Sequence, residues 1–417
     1  MASQRNDLDA RDRHFCQPHA QCALMHVQRL AFARAVGTAG EARAQAYISQ
    51  AMSALGLHVV QEPFPICVWQ SELLTRAVYL LCAVLALAAG LLTSLERTSL
   101  LWVSGFLWLL AALLVNRPFL LTWLFSPCQR FMIWSHNIVG TRRCQSQPIA
   151  RVIFMAHYDT KSQYLPTGIR VALVTTATIC SALLGVVAWL ACLGVPLNLQ
   201  SRATWQLVTL TCVCLASLIA NVTRNHSPGV LDNGSGVGLL LELARCFRPP
   251  DTVPAEVCFV ATSAEEIGLQ GARAFLLSRR DWLRQVPTLI INLESVGAGK
   301  RIFLAGSPVG VKLAEEVAAD LELRCARLHV LGAGMDHAPF VPAGFLALSL
   351  LGDVVRYSMH MHTHRDNLSI LQPQTLERIG RLACALAWRW LACHAENTAE
   401  HAVRTRPSCL PQVPVSD

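Results

Sequence analysis

A histidine and an aspartate two positions apart, His157 and Asp159, follow the apolar run Val152-Ile153-Phe154-Met155-Ala156. That spacing suits a metal-ligating imidazole whose other nitrogen is held by a carboxylate. Asp232 sits in the stretch Gly229-Val230-Leu231-Asp232-Asn233-Gly234-Ser235-Gly236, where a glycine-rich bend lets a carboxylate come close to a cation. Glu265 and Glu266 come shortly after the apolar run from Val257 to Ala261. Adjacent side chains at a strand end diverge, so one carboxylate can bind metal while the other faces water. Metal-assisted hydrolysis asks for that division: a cation to lower the pKa of water, and a free carboxylate to take its proton. Glu294 ends the run Leu289-Ile290-Ile291-Asn292-Leu293, and His362 lies in His360-Met361-His362-Thr363-His364. The three alternate histidines leave the choice of ligand open, and Asp366 could orient whichever one binds. Asp336-His337 fits either the wall of such a site or a purely structural role. Asp232, Glu266 and Glu294 set three negative charges against two divalent ions, which leaves room for one hydroxide. Histidine and carboxylate ligands without thiolate suit catalytic zinc, with cobalt or manganese as alternatives.

These residues need a scaffold that brings distant positions together. Glu41 to Leu55 has the apolar spacing of an amphipathic helix and stops at Gly56 before the strand-like run from Leu57 to Phe64. Further β-rich runs, 137–140, 151–156, 256–261, 288–293 and 345–350, are separated by helix-compatible segments. The pattern predicts an α/β fold with a mostly parallel central sheet and helices on both faces. Ligands bind such sheets beyond the carboxyl ends of the strands, where most of the candidate residues fall.

The 417-residue chain is 53% apolar and 15% charged, greasier than an ordinary soluble globule. The excess lies in four uncharged runs: Ala77 to Leu95, Ser99 to Val115, Val171 to Val195 and Trp205 to Val222. Each approaches the roughly 20 residues that cross a hydrocarbon core. Short links join them in pairs, predicting two transmembrane hairpins, 77–117 and 171–222, that interrupt a catalytic domain made of 25–76, 118–170 and 223–396. An N-terminal extension (1–24), without the pattern of a cleavable signal, and a disordered tail (397–417) complete the division. The result is a multi-pass membrane protein with its polar sequence on one face. The flanks Arg76, Arg117, Arg170 and Arg224, against Arg97 and Arg202 at the tips, favour a cytoplasmic catalytic domain. Sixteen cysteines without framework spacing, several of them inside the apolar runs, argue against a disulfide scaffold. The net charge of +8 is scattered, pointing to the lipid bilayer rather than nucleic acid as partner.

In order, the motifs are His157-x-Asp159, Asp232-Asn233-Gly234-Ser235-Gly236, Glu265-Glu266-x-Gly268-Leu269-x-Gly271, Asn292-Leu293-Glu294, Asp336-His337-x-Pro339-Phe340 and His362-Thr363-x-x-Asp366. Together with Gly37-Thr38 and Ala46-Tyr47-Ile48 they resemble the co-catalytic di-zinc aminopeptidase family, which includes leucyl aminopeptidases, glutamate carboxypeptidase II and glutaminyl cyclases. The similarity is closest in style to the membrane-embedded endoplasmic-reticulum and vacuolar metallopeptidases. It extends from about residue 25 to 395 outside the hairpins. The resemblance implies two zinc ions per chain and a peptide substrate. It implies that His157 and Glu266 bind one ion and Glu294 and His362 the other, with Asp232 bridging, Glu265 as general base and Asp159 orienting His157. Two departures stand out: Glu294 occupies a position more often aspartate, and the second hairpin separates His157 from Asp232. The alternatives are a single-zinc glutaminyl cyclase, suggested by His157-Tyr158-Asp159-Thr160-Lys161, and a non-catalytic membrane scaffold.

Overall fold

The computed structural model describes residues 17 to 404 apart from Glu96, Gln145, Asp251 and Ala333, with backbone alone from 397 onward. Two helices, α1 (Ala20–Arg29) and α2 (Ala39–Ala54), lead into strand β1 (His58–Ile66). The first apolar pair follows as α3 (Val68–Ser94) and α4 (Thr98–Leu114), then a short α5 (Leu120–Leu124), β2 (Ile133–Arg142), β3 (Ala150–His157) and β4 (Ser162–Gln163). The second pair is α6 (Thr167–Cys192) and α7 (Arg202–Ala220), followed by β5 (Thr223–Arg224), α8 (Ser235–Cys246), β6 (Ala255–Thr262), α9 (Gln270–Arg284) and β7 (Thr288–Glu294). The chain closes with β8 (Ile302–Gly306), α10 (Pro308–Asp320), β9 (Cys325–Arg327), β10 (Leu346–Leu351), α11 (Val354–Tyr357) and α12 (Pro373–Arg404).

Eight strands form one sheet in the order β1-β2-β6-β3-β7-β10-β8-β9. The central four, β6, β3, β7 and β10, are parallel, as expected, while β2 and β8 run antiparallel to their central neighbours. Every position of β3 and β7 is buried, which is why both read as unbroken apolar runs. One face, with Phe154 and Ile291, packs under α2, α8, α10 and α12 through Met52, Leu240, Val317 and Leu382. The other, with Ile153 and Ile290, is covered by Phe275 of α9 and by Phe340. Strands β8 and β9 extend the sheet beyond the runs foreseen from sequence. They are short, and β9 is half exposed, so neither has the length or patterning that marks a strand.

Helices α3, α4, α6 and α7 pack on one another around Cys82, Ala86, Trp108, Ala177, Leu184 and Leu215. Small residues permit the close approach: a Cβ at Gly105 would stand 2.1 Å from the indole nitrogen of Trp189. The buried hydroxyls of Thr93 and Ser104 meet at 2.6 Å. Three of these helices, α3, α6 and α7, are long and apolar enough to cross a membrane, and α4, at 17 residues, is shorter. Their outward side chains, among them Leu80, Leu87, Leu113 and Leu183, are exposed. Contiguous apolar surface of this kind suits a non-aqueous neighbour. The ends of the second pair are joined by a small antiparallel ladder, Ser162 opposite Arg224 and Gln163 opposite Thr223.

Helix α12 continues through Arg404, so the start of the stretch expected to be a disordered tail is helical. The remainder of that tail, and residues 1–16 of the N-terminal extension, lie outside the described residues.

Candidate active site

The parallel strands end together, and their carboxyl ends carry the candidate ligands. His157 is the last residue of β3, Glu294 the last of β7, and Glu265-Glu266 form the turn after β6. Register explains the meeting, since His157 pairs with Thr262 of β6 and Met155 with Asn292 of β7. Asp232 comes from the bend before α8, joined to Asn233 by a cis peptide bond. Asn233 pins that bend: its amide donates to the Leu293 carbonyl at 2.8 Å, and its oxygen accepts from Gly236 and Ser295, each at 3.0 Å. His362, at φ +64, arrives on the loop after α11. Among the three alternate histidines it alone enters the cluster. His364 is exposed, and the ring of His360 lies against Tyr357.

His157 Nε2 is 3.3 Å from Asp232 Oδ1 and 3.3 Å from Glu294 Oε1. His362 Nε2 is 3.1 Å from Asp232 Oδ2 and 3.0 Å from Glu266 Oε2. Two triads therefore share Asp232, each with ligand atoms within 4.8 Å of one another. The grouping corrects the expected pairing: His157 goes with Glu294 and His362 with Glu266. Strand β3 lies between β6 and β7, so His157 had a carboxylate available on either side, and its ring turns toward β7. Glu265 Oε2 stands 3.9 Å from His157 Nε2 and belongs to neither triad.

The donor set fits metal. Buried imidazoles and carboxylates point at common centres without a thiolate, and Glu266 Oε1 is buried without a hydrogen-bond partner. Burial opposes a charged His157, but Glu294 and Glu265 outweigh it and hold the imidazole pKa well above its usual value. Burial pushes the Glu265 carboxyl well above the carboxylate range, with Glu266 and Glu294 adding to it against the pull of His157. Burial also opposes charge on Glu266, yet His362 and Lys161 overcome it and lower that pKa.

Around the triads a second set of groups fixes the backbone. The Asp159 carboxylate accepts hydrogen bonds from the amides of Glu265 and Glu266, each at 3.2 Å, while lying 3.4 Å from His157 Nδ1. It thus holds the Glu265-Glu266 turn as well as the imidazole. Asp366 does not orient a histidine: its oxygens accept from the amides of Leu231 and Asp232 at 2.6 and 3.1 Å. Burial, with Asp232 nearby, pushes its carboxyl up to about 7. Arg34, fully buried, donates to the carbonyls of Tyr158, Pro228 and Gly229 at 2.7, 2.7 and 2.9 Å, tying the loops of His157 and Asp232 together. Asp336 accepts from the Thr262 hydroxyl, and burial raises its carboxyl to about 7. His337 meets the Ser349 hydroxyl at 2.6 Å, Ser349 accepts from Asn292 at 2.9 Å, and Asn292 reaches Glu294 Oε2 at 3.3 Å. Sequence reasoning gave Arg34 no role, because a single arginine among apolar residues carries no local motif.

The triads open into a cavity of about 570 Å³. Its floor holds Asp232, Glu265, Glu266, Glu294 and His362, and one wall is the first turns of α6, including Thr167, Arg170, Val171 and Thr175. The remaining lining is mostly apolar, with Phe119, Val330, Met335 and Met361.

Comparison with known proteins supports the resemblance seen in the motifs. Residues 216–387 match the description Peptidase family M28. The chain is 29% identical over 176 residues to Aminopeptidase YwaD of Bacillus subtilis (strain 168), covering 39% of this chain and 38% of that protein. It is 29% identical over 156 residues to a vacuolar membrane protease of Candida dubliniensis, covering 36% of this chain and 16% of that protein. These matches therefore span well under half of the curated relatives. Among solved structures, BSAP, a zinc aminopeptidase from Bacillus subtilis, superposes with a TM-score of 0.52 at 16% identity, over 89% of this chain and 95% of that one, a likeness of fold.

Proposed function

We propose that this chain is a membrane-anchored, zinc-dependent peptidase of the aminopeptidase type, working with two ions per chain. The observation that carries the reading is the pair of histidine-carboxylate triads sharing Asp232, with Glu265 beside them and outside both. His157, Asp232 and Glu294 would hold one ion, and Asp232, Glu266 and His362 the other. Zinc bound there polarises a scissile carbonyl and lowers the pKa of water.

The protein's own groups do the rest. Glu265 takes a proton from water at the cavity floor and passes it to the leaving amine nitrogen. Burial, which raises its pKa, makes the carboxylate a stronger base toward that proton. Asp159 keeps Glu265 and Glu266 apart by holding both their amides, so that one stays free while the other is a ligand. Asp366, Asn233 and Arg34 fix the bend that presents Asp232.

The apolar hairpins support a position of this site beside lipid. Trp69, Leu124, Phe125, Phe131 and Trp134 are exposed near the domain end of α3, with the Trp69 and Phe131 rings 5.9 Å apart. Such a cluster is the composition of a bilayer interface. The arginine flanks favour the cytoplasmic side for the catalytic domain.

The test is Glu265→Gln in the full chain, purified in detergent. Hydrolysis of aminoacyl fluorogenic substrates falls by 100-fold or more, on the order expected for loss of a general base, while zinc content stays at two per chain. Undiminished hydrolysis removes Glu265 from its role. One zinc per chain with pyroglutamate formation would instead select the cyclase reading.

A further inference from the structure

The cavity has a spare cation and no spare anion. Its lining carboxylates, Asp232, Glu265, Glu266 and Glu294, are all committed to the triads or to proton transfer. Of the two cations on the wall, Lys161 faces Glu266 Oε2 at 3.4 Å and also donates to the Glu266 carbonyl. Among the described residues Arg170 has no carboxylate within 4.0 Å, and its guanidinium lies 3.1 Å from the Nδ1 of His362. Glu72, which shares a smaller adjoining cavity with Arg170, faces Arg76 at 3.9 Å. One turn back, the Thr167 hydroxyl lines the same cavity and is buried without a hydrogen-bond partner. Both residues belong to the first turn of α6, whose dipole presents its positive end there.

The contact between Arg170 and His362 does not persist once Nε2 is a ligand. The ring proton then sits on Nδ1, which donates to Gln163 Oε1, 3.4 Å away. A guanidinium has no lone pair to receive that proton, so Arg170 is left to serve the cavity. One imidazole ring separates it from the atom facing Asp232 and Glu266, a span comparable to one residue of extended chain, about 3.5 Å, plus a hydrogen bond.

We propose that Arg170 and the Thr167 hydroxyl bind the free carboxylate of the residue on the leaving side of the scissile bond. This substrate class is the dipeptide, cut between an amino-terminal residue against the apolar lining and a carboxyl-terminal residue held by α6. The proposal rests on the peptidase reading above and narrows it. It also gives the second apolar pair a part in recognition, since the anchor sits on its first helix.

Isothermal titration of the zinc-loaded, turnover-blocked Glu265→Gln chain in detergent with Leu-Phe and with Leu-Phe-amide is the test. The free acid binds about 10-fold more tightly, the scale of a charge-assisted pair. Adding Arg170→Gln brings that ratio to about one, and Arg170→Lys keeps part of it. Equal binding of the two ligands, absence of binding by both, or an Arg170→Gln change that weakens both alike and preserves the ratio overturns the proposal. The last pattern is what a residue serving only to position His362 would give. Hydrolysis of Leu-Phe by the wild-type, zinc-loaded chain tests the peptidase reading separately. No cleavage beside an intact acid-over-amide ratio would sink that reading and leave the carboxylate anchor standing.

Discussion

At the scale of single residues, the site depends as much on groups that hold backbone as on groups that face the substrate. Asp366 accepts the amides of Leu231 and Asp232 and so sets where the shared carboxylate points. Asp366→Ala leaves both amides unpaired in a buried bend. Zinc affinity, measured by competition with a chelating dye, is expected to fall about 10- to 100-fold, the usual loss when the support of a ligand is removed. Affinity equal to wild type would show that the bend holds its shape without Asp366. The clustered residues were legible one by one in the sequence because each carries a short-range signal: His157 and Glu294 end apolar runs, and Asp232 sits in a glycine-rich bend. Which histidine lies beside which carboxylate was not, since β3 touches both β6 and β7 and only the turn of the His157 ring decides. Asp366 reads from sequence as orienting whichever neighbouring histidine binds, whereas its partners lie more than 130 positions back in the chain.

Elements carry the next level. Helix α2 opens with Thr38 as N-cap and Glu41 three residues on, a capping box in which Glu41 reaches back to the Gly37 amide at 2.6 Å. The same buried carboxylate accepts from Ser135 of β2 at 2.5 Å and from Ser263, just past β6, at 2.7 Å. One side chain thus pins a helix start to two strands beside the Glu265-Glu266 turn. Glu41→Ala strands two buried hydroxyls and an amide, a destabilisation of about 3 kcal/mol, read as a lowered Tm of the full chain in detergent. A Tm matching wild type would mean that water replaces Glu41 without loss. The sequence announced the helix and the central strands through their period and their apolar runs. It did not announce β8 or β9, which take their places from pairing, β8 on β10 and β9 on β8, and not from any pattern of their own.

For the molecule as a whole, the interruption between His157 and Asp232 is closed off at its base. The two-rung ladder of β4 and β5 fastens the start of α6 to the end of α7, and Gln163 in that ladder donates its backbone amide to the His362 carbonyl. Helices α3 and α4 then pack against the inserted pair, so the four apolar helices and the α/β domain share one foundation. The far end is different: residues 193–198, between α6 and α7, are exposed. A chain whose loop is clasped at its base is a ring in all but covalent closure, and a ring can be opened at one point without coming apart. Proteolytic nicking at 193–198 should therefore yield two fragments that remain one particle by native mass spectrometry and keep their zinc, separating only on denaturation. Loss of either fragment on nicking alone would mean that continuity of the chain, and not the clasp, joins the halves. In that sense the segment that divides the α/β domain in sequence is a detachable seam, and the protein is a natural candidate for assembly from two separately made pieces.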